Sequence, residues 1–523
     1  MTRPRILVTE SLGPKGLSYL AEHADVDSHD LLDPKLLPGL MGEYDAVIIR
    51  SAHRLTRELL SGHPRLKVVA RAGAGVDNVD LNAATEFGIA VINAPGANAI
   101  AAAEHTFALM LAAMRNVPQG GGHVREGGWN RAAFLGRELY DKRLGIIGLG
   151  RVGRQVARIA LGFRMVVAAY DPFLPSEIFR THHVEEVTSL DALLVRSDVL
   201  TIHTPKSGPK LGERELGLLP LGAVVMNVAR GGLIDETALS QLLQAGRIQA
   251  AGIDVFSQEP PRLDSPLLQA PHVALTPHLG GSTHEAMVEV GLMTCRGVLE
   301  ALDNHSPSNL VNVPIPDVPD DDVKSLGRAM SLLGQIFSRL HAKIAGSLVL
   351  TVGQDIPRSA IPWLRQSALA AFLTDRVDER VNTVNALVVA ERQGLGVLVE
   401  ESHSHWPDAL GLRWEGHPES EVAFSITSDS QVILRILEGI PMDMPWPKMA
   451  IFTRHQDTPG VIGRIGTLVG EFNVNIGQLQ LGRRQAGDEA VLVMSVDARV
   501  PEDLRTLLQE QPGMHAVEVF WEE

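Results

Sequence analysis

Three polar residues whose types suit acid–base chemistry and anion binding follow apolar segments of this 523-residue chain, and they are Arg230, Glu259 and His278. Each comes close after a predicted strand, and open α/β sheets bind ligands at the carboxyl ends of their strands. A histidine can take a proton from a hydroxyl group and return it near neutral pH. A carboxylate can orient the imidazole, and a guanidinium can bind a substrate carboxylate bidentately. The three side chains are a complete set for the oxidation of a secondary alcohol.

Each of these residues also has a purely structural interpretation. Glu259 precedes two prolines and could lie on a surface loop. His278 could cap the helix that follows it, and Arg230 could belong to a glycine turn. Spacing alone does not bring the three side chains together, so their convergence is a prediction for the structure.

A glycine-rich turn precedes these residues. The predicted strand 143–147 runs into Gly148-Leu149-Gly150-Arg151-Val152-Gly153, and a helix follows at once. The first glycine permits a tight turn, the second lets the backbone approach a pyrophosphate, and the third lets the helix pack on the strand. The helix N-terminus offers free N–H groups to phosphates. Asp171 can accept from ribose hydroxyls and would repel a 2′-phosphate, so the motif favours NAD over NADP. The alternative interpretation is a glycine-rich turn that binds no ligand.

The elements that must position these residues alternate between strand and helix. Strands are predicted at 5–9, 46–50, 66–70 and 89–92, and then at 143–147, 165–170, 199–203, 223–227 and 251–254. A long helix is predicted at 99–115, and Ser282 with Glu285 predicts a capping box for a helix that reaches about residue 303. The alternation predicts two doubly wound α/β domains of the Rossmann or flavodoxin-like kind.

Two proline clusters divide the remainder of the chain. Residues 312–322 and the segment with Pro441, Pro445 and Pro447 are predicted boundaries. Between them lies a mixed α/β domain without a chemical motif. After them, strands at 448–454, 476–484, 490–496 and 516–521 and helices at 461–472 and from 501 predict a βαββαβ, ferredoxin-like domain.

Composition excludes several classes of protein. The charge sum of 47 basic and 62 acidic residues is −15, which argues against nucleic acid as a partner. Cys295 is the only cysteine, so an internal disulfide and a cysteine-rich metal site are excluded, and we expect no metal. No apolar run approaches the roughly 18 residues of a membrane helix. The N-terminus is typical of a first strand rather than a signal peptide, so we expect a cytoplasmic protein without a membrane partner.

The segments 227–236, 252–261 and 276–283, together with the glycine motif, closely resemble the D-isomer-specific 2-hydroxyacid dehydrogenases. Essentially the whole chain resembles the long members of that family. The resemblance implies that Arg230 binds substrate, that Glu259 assists His278, and that His278 transfers the proton. It implies NAD as the cofactor, with contacts at Gly148, Gly150, Arg151, Val152, Gly153, Asp171, Thr204, Ala229, Asp254, His278, Gly280 and Gly281.

The resemblance also implies a discontinuous arrangement of domains. A substrate-binding domain would comprise residues 1–97 and 278–313, with the NAD-binding domain 98–277 inserted into it. An intervening domain would follow at 318–445, and a regulatory domain at 448–523. The last domain resembles an ACT domain, a module that binds amino acids between paired copies, so the resemblance implies a homodimer or homotetramer.

Three residues are candidates for substrate contacts. Arg50 and Arg71 end strands of the first sheet and could bind a phosphorylated hydroxy acid, or could be solvated surface arginines. Asn98 could donate to a substrate carboxylate or be the N-cap of the long helix. The resemblance places substrate contacts at all three and implies oxidation of 3-phospho-D-glycerate to 3-phosphohydroxypyruvate, at the entry to serine biosynthesis. Another acid, such as glycerate or lactate, remains an alternative, as does an NAD-sensing binding protein, which would lack the amino-acid-binding domain.

Two residues of the last domain match the effector positions of ACT domains. Asp457 and Asn475 would take the ammonium and hydroxyl groups of serine, which is the implied feedback effector. The local alternative is that Asp457 forms a turn with Pro459 and Gly460 and that Asn475 caps a bend.

Overall fold

Four β-sheets with packed helices make up the part of the chain that the computed structural model describes, which is residues 3–303, 307–315, 320–402, 405–485 and 487–521. The fold is α/β, as predicted. Part of the first predicted boundary, residues 316–319, lies outside the described residues. Within the described part, no helix has both the length and the apolar character needed to cross a membrane.

The first sheet is parallel throughout. In spatial order its strands are Asp25–Ser28, Arg5–Val8, Ala46–Ile49, Val68–Arg71 and Ala90–Ile92. This order, 2-1-3-4-5, is flavodoxin-like. Strand residues such as Ile48 and Val69 have no exposed surface, because helices cover both faces of a parallel sheet. The helices of this part are Pro14–His23, Leu37–Leu40, Arg57–Leu60 and Leu81–Glu86, with a 3₁₀ turn at Met41–Glu43.

A later segment returns to this sheet and completes the layer. The helix His284–Leu302 packs on the helix Pro14–His23, where a Cβ added to Gly16 would lie 3.3 Å from the carbonyl carbon of Gly291. The N–H of Val311 then donates to the carbonyl oxygen of Val91 at 2.7 Å. Residues that precede the second sheet in the sequence and residues that follow it therefore pack in one core.

The second sheet has seven parallel strands. In spatial order they are Val273–Leu275, Ile248–Ile253, Ala223–Asn227, Val199–Ile202, Arg143–Ile147, Val166–Tyr170 and Glu185–Glu186. Its helices are Ala99–Met114, Val117–Arg125, Arg151–Gly162, Ser176–Thr181, Leu190–Leu194, Glu213–Gly217 and Glu236–Gln244, with 3₁₀ turns at Arg131–Phe134 and Pro266–Gln269. The strand order is that of a doubly wound nucleotide-binding fold, and the winding reverses beside the strand that ends at Ile147.

The C-terminal part contains a mixed sheet and an antiparallel sheet. The mixed sheet has the order Leu395–Glu401, Gly346–Val352, Ala409–Trp414, His417–Ile426, Val432–Leu437 and Ile440–Pro445, with the helices Asp320–Leu340, Ile361–Leu373 and Ala386–Arg392 and a 3₁₀ turn at Arg358–Ala360. The antiparallel sheet has the order Ile476–Arg483, Glu489–Val496, Met449–Gln456 and Met514–Trp521, with the helices Val461–Glu471 and Glu502–Gln509. The chain order of the latter is the predicted βαββαβ.

Several local predictions need correction. The helix after residue 282 begins at His284 and its N-cap is Thr283, whose side chain accepts from the N–H of Ala286; the predicted capping box from Ser282 does not form. Pro441 and Pro445 lie inside a strand rather than a linker, because an edge strand tolerates a missing N–H. The strand Asp25–Ser28 was not predicted, since this polar edge strand lacks an apolar signal.

Candidate active site

A cleft of about 520 Å³ lies between the first sheet and the nucleotide-binding sheet. The carboxyl ends of strands from both sheets open into it, which is why polar side chains from distant parts of the chain meet there. The cleft is lined by all six predicted catalytic and substrate residues, namely Arg50, Arg71, Asn98, Arg230, Glu259 and His278. The structure therefore brings them together.

His278 and Glu259 form a pair on one wall of the cleft. Nδ1 of His278 lies 2.8 Å from Oε2 of Glu259, and Oε1 of that glutamate accepts from the N–H of Phe256 at 3.1 Å. The carboxylate is thus fixed by the backbone on one side and orients the imidazole on the other. Because Nδ1 donates to Glu259, Nε2 is the nitrogen left to exchange a proton with a ligand.

The turn that carries His278 is held by Asp254. This carboxylate is fully buried, and its oxygens accept from the N–H groups of Leu279 and Gly280 at 2.7 and 2.8 Å. Oδ1 also accepts from the hydroxyl of Thr276 at 2.6 Å and lies 3.2 Å from Nε2 of His105. Burial alone would raise the pKa of Asp254, but these hydrogen bonds outweigh it and the pKa lies below its ordinary value. In this structure Asp254, predicted as a cofactor contact, faces protein donors.

Four cations contribute positive charge to the cleft. Arg50, Arg71, Arg230 and Lys206 all line it, and within the described ranges neither Arg71 nor Lys206 forms an ion pair. Burial and the neighbouring guanidinium groups of Arg230 and Arg50 lower the pKa of Arg71. A group of like charges with so few carboxylates is a site for a multiply charged anion.

Asn98 is available to a ligand. It is the residue before the helix Ala99–Met114, but its side chain makes no capping hydrogen bond. The side chain lies against the backbone of Gly281, where an added Cβ would come within 2.7 Å of the Asn98 amide nitrogen. The N-cap alternative for this side chain is therefore not what the structure shows.

The glycine turn has the shape that a dinucleotide requires. Gly148 has a φ of +90°, which favours glycine, and a Cβ added to Gly153 would lie 2.1 Å from the carbonyl oxygen of Gly148. A Cβ on Gly150 would meet no protein atom within 4 Å, so that glycine keeps open space in front of the helix Arg151–Gly162. Asp171 accepts from the N–H of Leu149 at 2.9 Å, so its carboxylate sits at the turn. These residues fit a bound NAD.

Three of the other predicted cofactor contacts, Thr204, Ala229 and Gly280, follow the carboxyl ends of strands of the nucleotide-binding sheet. The methyl group of Thr204 lies beside Gly148, and its buried hydroxyl oxygen lies beside Gly208 and has no hydrogen-bond partner among the described residues. Val152 packs against the core of the nucleotide-binding sheet. The side chain of Arg151 lies near Gly96, where an added Cβ would come within 2.6 Å of its Cδ.

Sequence reasoning did not identify four residues of this site: Glu10, Asp77, His105 and Lys206. Asp77 follows the glycine loop after Arg71, and that proximity was a usable signal. The other three are single polar residues on apolar elements or in loops. Only tertiary packing brings Lys206 to the cleft, Glu10 to Arg50 and His105 to Asp254.

The predicted effector residues lie at opposite ends of one helix of the last domain. Asp457 precedes the helix Val461–Glu471 and Asn475 follows it. Oδ2 of Asp457 accepts from the N–H of Gly487 at 3.1 Å and from Nη1 of Arg483 at 2.7 Å, and these contacts lower its pKa. Each residue of a helix adds about 1.5 Å of length, so the helix Val461–Glu471 holds the two residues a full helix length apart. The side chains of Asp457 and Asn475 in one chain therefore do not face one ligand.

The fold and the cleft together define a dehydrogenase that binds NAD and acts on 2-hydroxy acids. The profile described as "D-isomer specific 2-hydroxyacid dehydrogenase, NAD binding domain" matches residues 107–280, and the ACT domain profile matches residues 449–513. The D-3-phosphoglycerate dehydrogenase of Methanocaldococcus jannaschii is 35% identical over 99% of both chains, and that of Bacillus subtilis is 33% identical over 99% of both. The chain belongs to the D-isomer specific 2-hydroxyacid dehydrogenase family and, along its whole length, to the D-3-phosphoglycerate dehydrogenases within it.

Solved structures match about three-fifths of the molecule. A glyoxylate reductase from Paecilomyes thermophila has a TM-score of 0.55 and 30% identity and covers 60% of this chain and 99% of its own. D-lactate dehydrogenase from Escherichia coli has a TM-score of 0.52 and 28% identity, with coverage of 59% and 99%. The catalytic frame is thus shared with relatives named for other substrates.

Proposed function

We propose that this protein oxidises 3-phospho-D-glycerate to 3-phosphohydroxypyruvate with NAD and so catalyses the first step of serine biosynthesis. The observation that carries the proposal is one cleft that holds both the His278–Glu259 pair and a group of four cations. The pair supplies proton transfer, and the cations suit a substrate with a carboxylate and a phosphate.

His278 acts as the general base in the forward direction. Glu259 fixes the hydrogen on Nδ1, so the lone pair of Nε2 takes the proton from the substrate hydroxyl. Glu259 also stabilises the imidazolium that results. When bound, NAD⁺ supplies the hydride acceptor for carbon 2. Gly148, Gly150 and the N-terminus of the following helix hold its pyrophosphate, and Asp171 its ribose.

Different cations of the cleft bind different groups of the substrate. Arg230 lies beside the catalytic pair and binds the substrate carboxylate, together with Asn98. Arg50 and Arg71 come from the first sheet and bind the phosphate. Lys206 stands on the nucleotide-binding side, so it adds positive charge to the wall opposite Arg50. This charge requirement favours 3-phosphoglycerate over glycerate or lactate.

The last domain is proposed to bind serine as a feedback inhibitor between two copies of the chain. Support comes from the ACT match and from Asp457 and Asn475, which lie at opposite ends of one helix. A site that uses both residues therefore draws them from two chains, in a dimer or tetramer. A cytoplasmic location is part of the same proposal, because the single cysteine is a free, buried thiol, as is common in reducing compartments.

The test is a comparison of substrates with the purified full-length chain. NADH formation is followed with 3-phosphoglycerate, D-glycerate and D-lactate, with NADP in place of NAD as a control, and serine is titrated into the best reaction. We expect the highest kcat/KM with 3-phosphoglycerate and NAD. A higher value with an unphosphorylated acid would contradict the substrate, and no turnover of any 2-hydroxy acid would favour an NAD-sensing binding protein.

A further inference from the structure

The loop that carries Arg50 into the cleft is held by a buried carboxylate. Glu10 is only 8% exposed and lies just beyond the strand Arg5–Val8. Its Oε1 accepts from the N–H of Arg50 at 2.8 Å, and its Oε2 accepts from the N–H of Ser51 at 3.2 Å. The N–H of Ala52 is 3.2 Å from both oxygens. Three consecutive N–H groups therefore converge on this one side chain.

The imidazole of His53 completes the cluster and is fully buried. Its Nδ1 lies 3.1 Å from Oε1 of Glu10, and its Nε2 lies 3.0 Å from the carbonyl oxygen of Leu32. A carbonyl oxygen only accepts hydrogen bonds, so Nε2 carries a hydrogen. Nδ1 also lies 3.2 Å from the hydroxyl oxygen of Thr9. The ring therefore contacts Glu10 through Nδ1 and donates to the carbonyl oxygen of Leu32 through Nε2, inside a buried cluster.

The surroundings of Glu10 keep it ionised. Burial favours the neutral form, but the hydrogen bonds from His53 and from the N–H groups of Arg50 and Ala52 outweigh burial, and the pKa of Glu10 is lowered. Several donors on one carboxylate fix its orientation and that of the groups bound to it. Loss of His53 would leave the Glu10 carboxylate buried with one hydrogen bond fewer.

We propose that the buried Glu10–His53 pair is a positioning device for Arg50 and thereby sets the affinity of the cleft for the phosphate group of its substrate. Arg50 follows the strand Ala46–Ile49 directly, and its Nη1 donates to the carbonyl oxygen of Ser11 at 3.3 Å. Both the backbone and the side chain of Arg50 are thus attached to the segment that begins with Glu10. The proposal rests on the proposed function for the identity of the anion. None of these contacts involves His278, so the chemistry at carbon 2 is separate.

The experiment compares Glu10→Gln and His53→Gln in the full-length chain. We expect each change to raise the KM for 3-phosphoglycerate about tenfold, which corresponds to the loss of one charged contact, while kcat and the KM for NAD change less than about twofold. Calorimetric titration of inorganic phosphate, without any turnover, should show a matching loss of affinity. The control is His29→Gln, because His29 is a half-buried histidine whose Nε2 lies 3.3 Å from Oδ1 of Asp27 and which lies outside the cleft.

The double variant Glu10→Gln/His53→Gln covers the case in which a single change prevents folding, because it leaves no unpaired buried charge. We expect the same rise in KM in the double variant. An unchanged KM and phosphate affinity in a folded variant would overturn the proposal, as would an equal fall of kcat, which would point to general loss of structure. A wild-type chain that does not oxidise 3-phosphoglycerate overturns the proposed function instead. In that case the phosphate titration alone tests the present proposal, and equal phosphate affinities of the wild type and the variants would contradict it.

Discussion

Arg230 reaches Asp77 across the cleft, with its Nε 3.1 Å from Oδ2 of that carboxylate. The ion pair joins a loop of the first sheet to the strand end of the nucleotide-binding sheet, in the cleft that also holds His278. Both partners are partly exposed, at 31% and 53% of their side chains, so the pair is weak and a substrate carboxylate can compete for the guanidinium. Asp77 thus holds Arg230 at the cleft before substrate arrives.

Gly75 provides the space that Arg230 occupies. A Cβ at this position would lie 2.2 Å from Nη2 of Arg230, so Gly75→Ala must displace the guanidinium. We expect kcat/KM for 3-phosphoglycerate to fall about 100-fold while NADH still binds, as measured by steady-state kinetics and by fluorescence titration. Gly39→Ala is the matched control, since a Cβ there meets nothing within 4 Å. Normal kinetics in Gly75→Ala would contradict the role of Arg230.

The catalytic part of the site was the part most accessible from sequence. Arg230, Glu259 and His278 lie close to strand ends, and the parallel topology that places strand ends together could be predicted from the alternation of apolar strands and helices. Glu10 and His105 could not be found in this way. Each acts through hydrogen bonds to groups more than 35 residues away, and no local pattern records such a contact.

Exchange of His278, the proposed general base, should separate chemistry from cofactor binding. His278 has a φ of +55°, a backbone conformation that Asn adopts more readily than Ala, so His278→Asn is the appropriate change. We expect kcat to fall by about 10³-fold, because general base catalysis is lost, while the affinity for NADH is kept. Fluorescence titration measures the affinity. Loss of NADH binding in a folded variant would show that His278 is structural.

Two glycines of the turn should respond differently to a methyl group. A Cβ on Gly153 collides with the carbonyl oxygen of Gly148, so Gly153→Ala should lower the melting temperature and weaken NAD binding. A Cβ on Gly150 meets no protein atom within 4 Å, so Gly150→Ala should keep the wild-type melting temperature and raise the KM for NAD about tenfold. Equal effects of both changes on stability would contradict this division.

The carboxylate of Asp171 is expected to select NAD over NADP, and it also holds the backbone of the glycine turn at Leu149. Its Oδ2 accepts from the N–H of Leu149 and its Oδ1 from the N–H of Phe173, and Asn can keep the first of these hydrogen bonds while it removes the charge. We therefore expect Asp171→Asn to raise kcat/KM for NADP about tenfold with little effect on NAD, whereas Asp171→Ala also weakens NAD. The ratio of the two specificity constants is the measurement. If neither variant changes the preference for NAD, the carboxylate does not select the cofactor.

Acid should destabilise the enzyme through Asp254. Its folded pKa lies below the ordinary value of 3.8, so the unfolded chain binds more protons in acid. The stability that this carboxylate contributes is complete above about pH 5 and is lost as the pH falls through the unfolded and then the folded pKa. We expect Asp254→Asn to be less stable than wild type at pH 7 by about 2 kcal/mol, because one amide group cannot accept from all of its donors, and to lose less further stability in acid. Urea unfolding at several pH values tests this, and parallel pH profiles for the two proteins would exclude Asp254 as the acid-sensitive group.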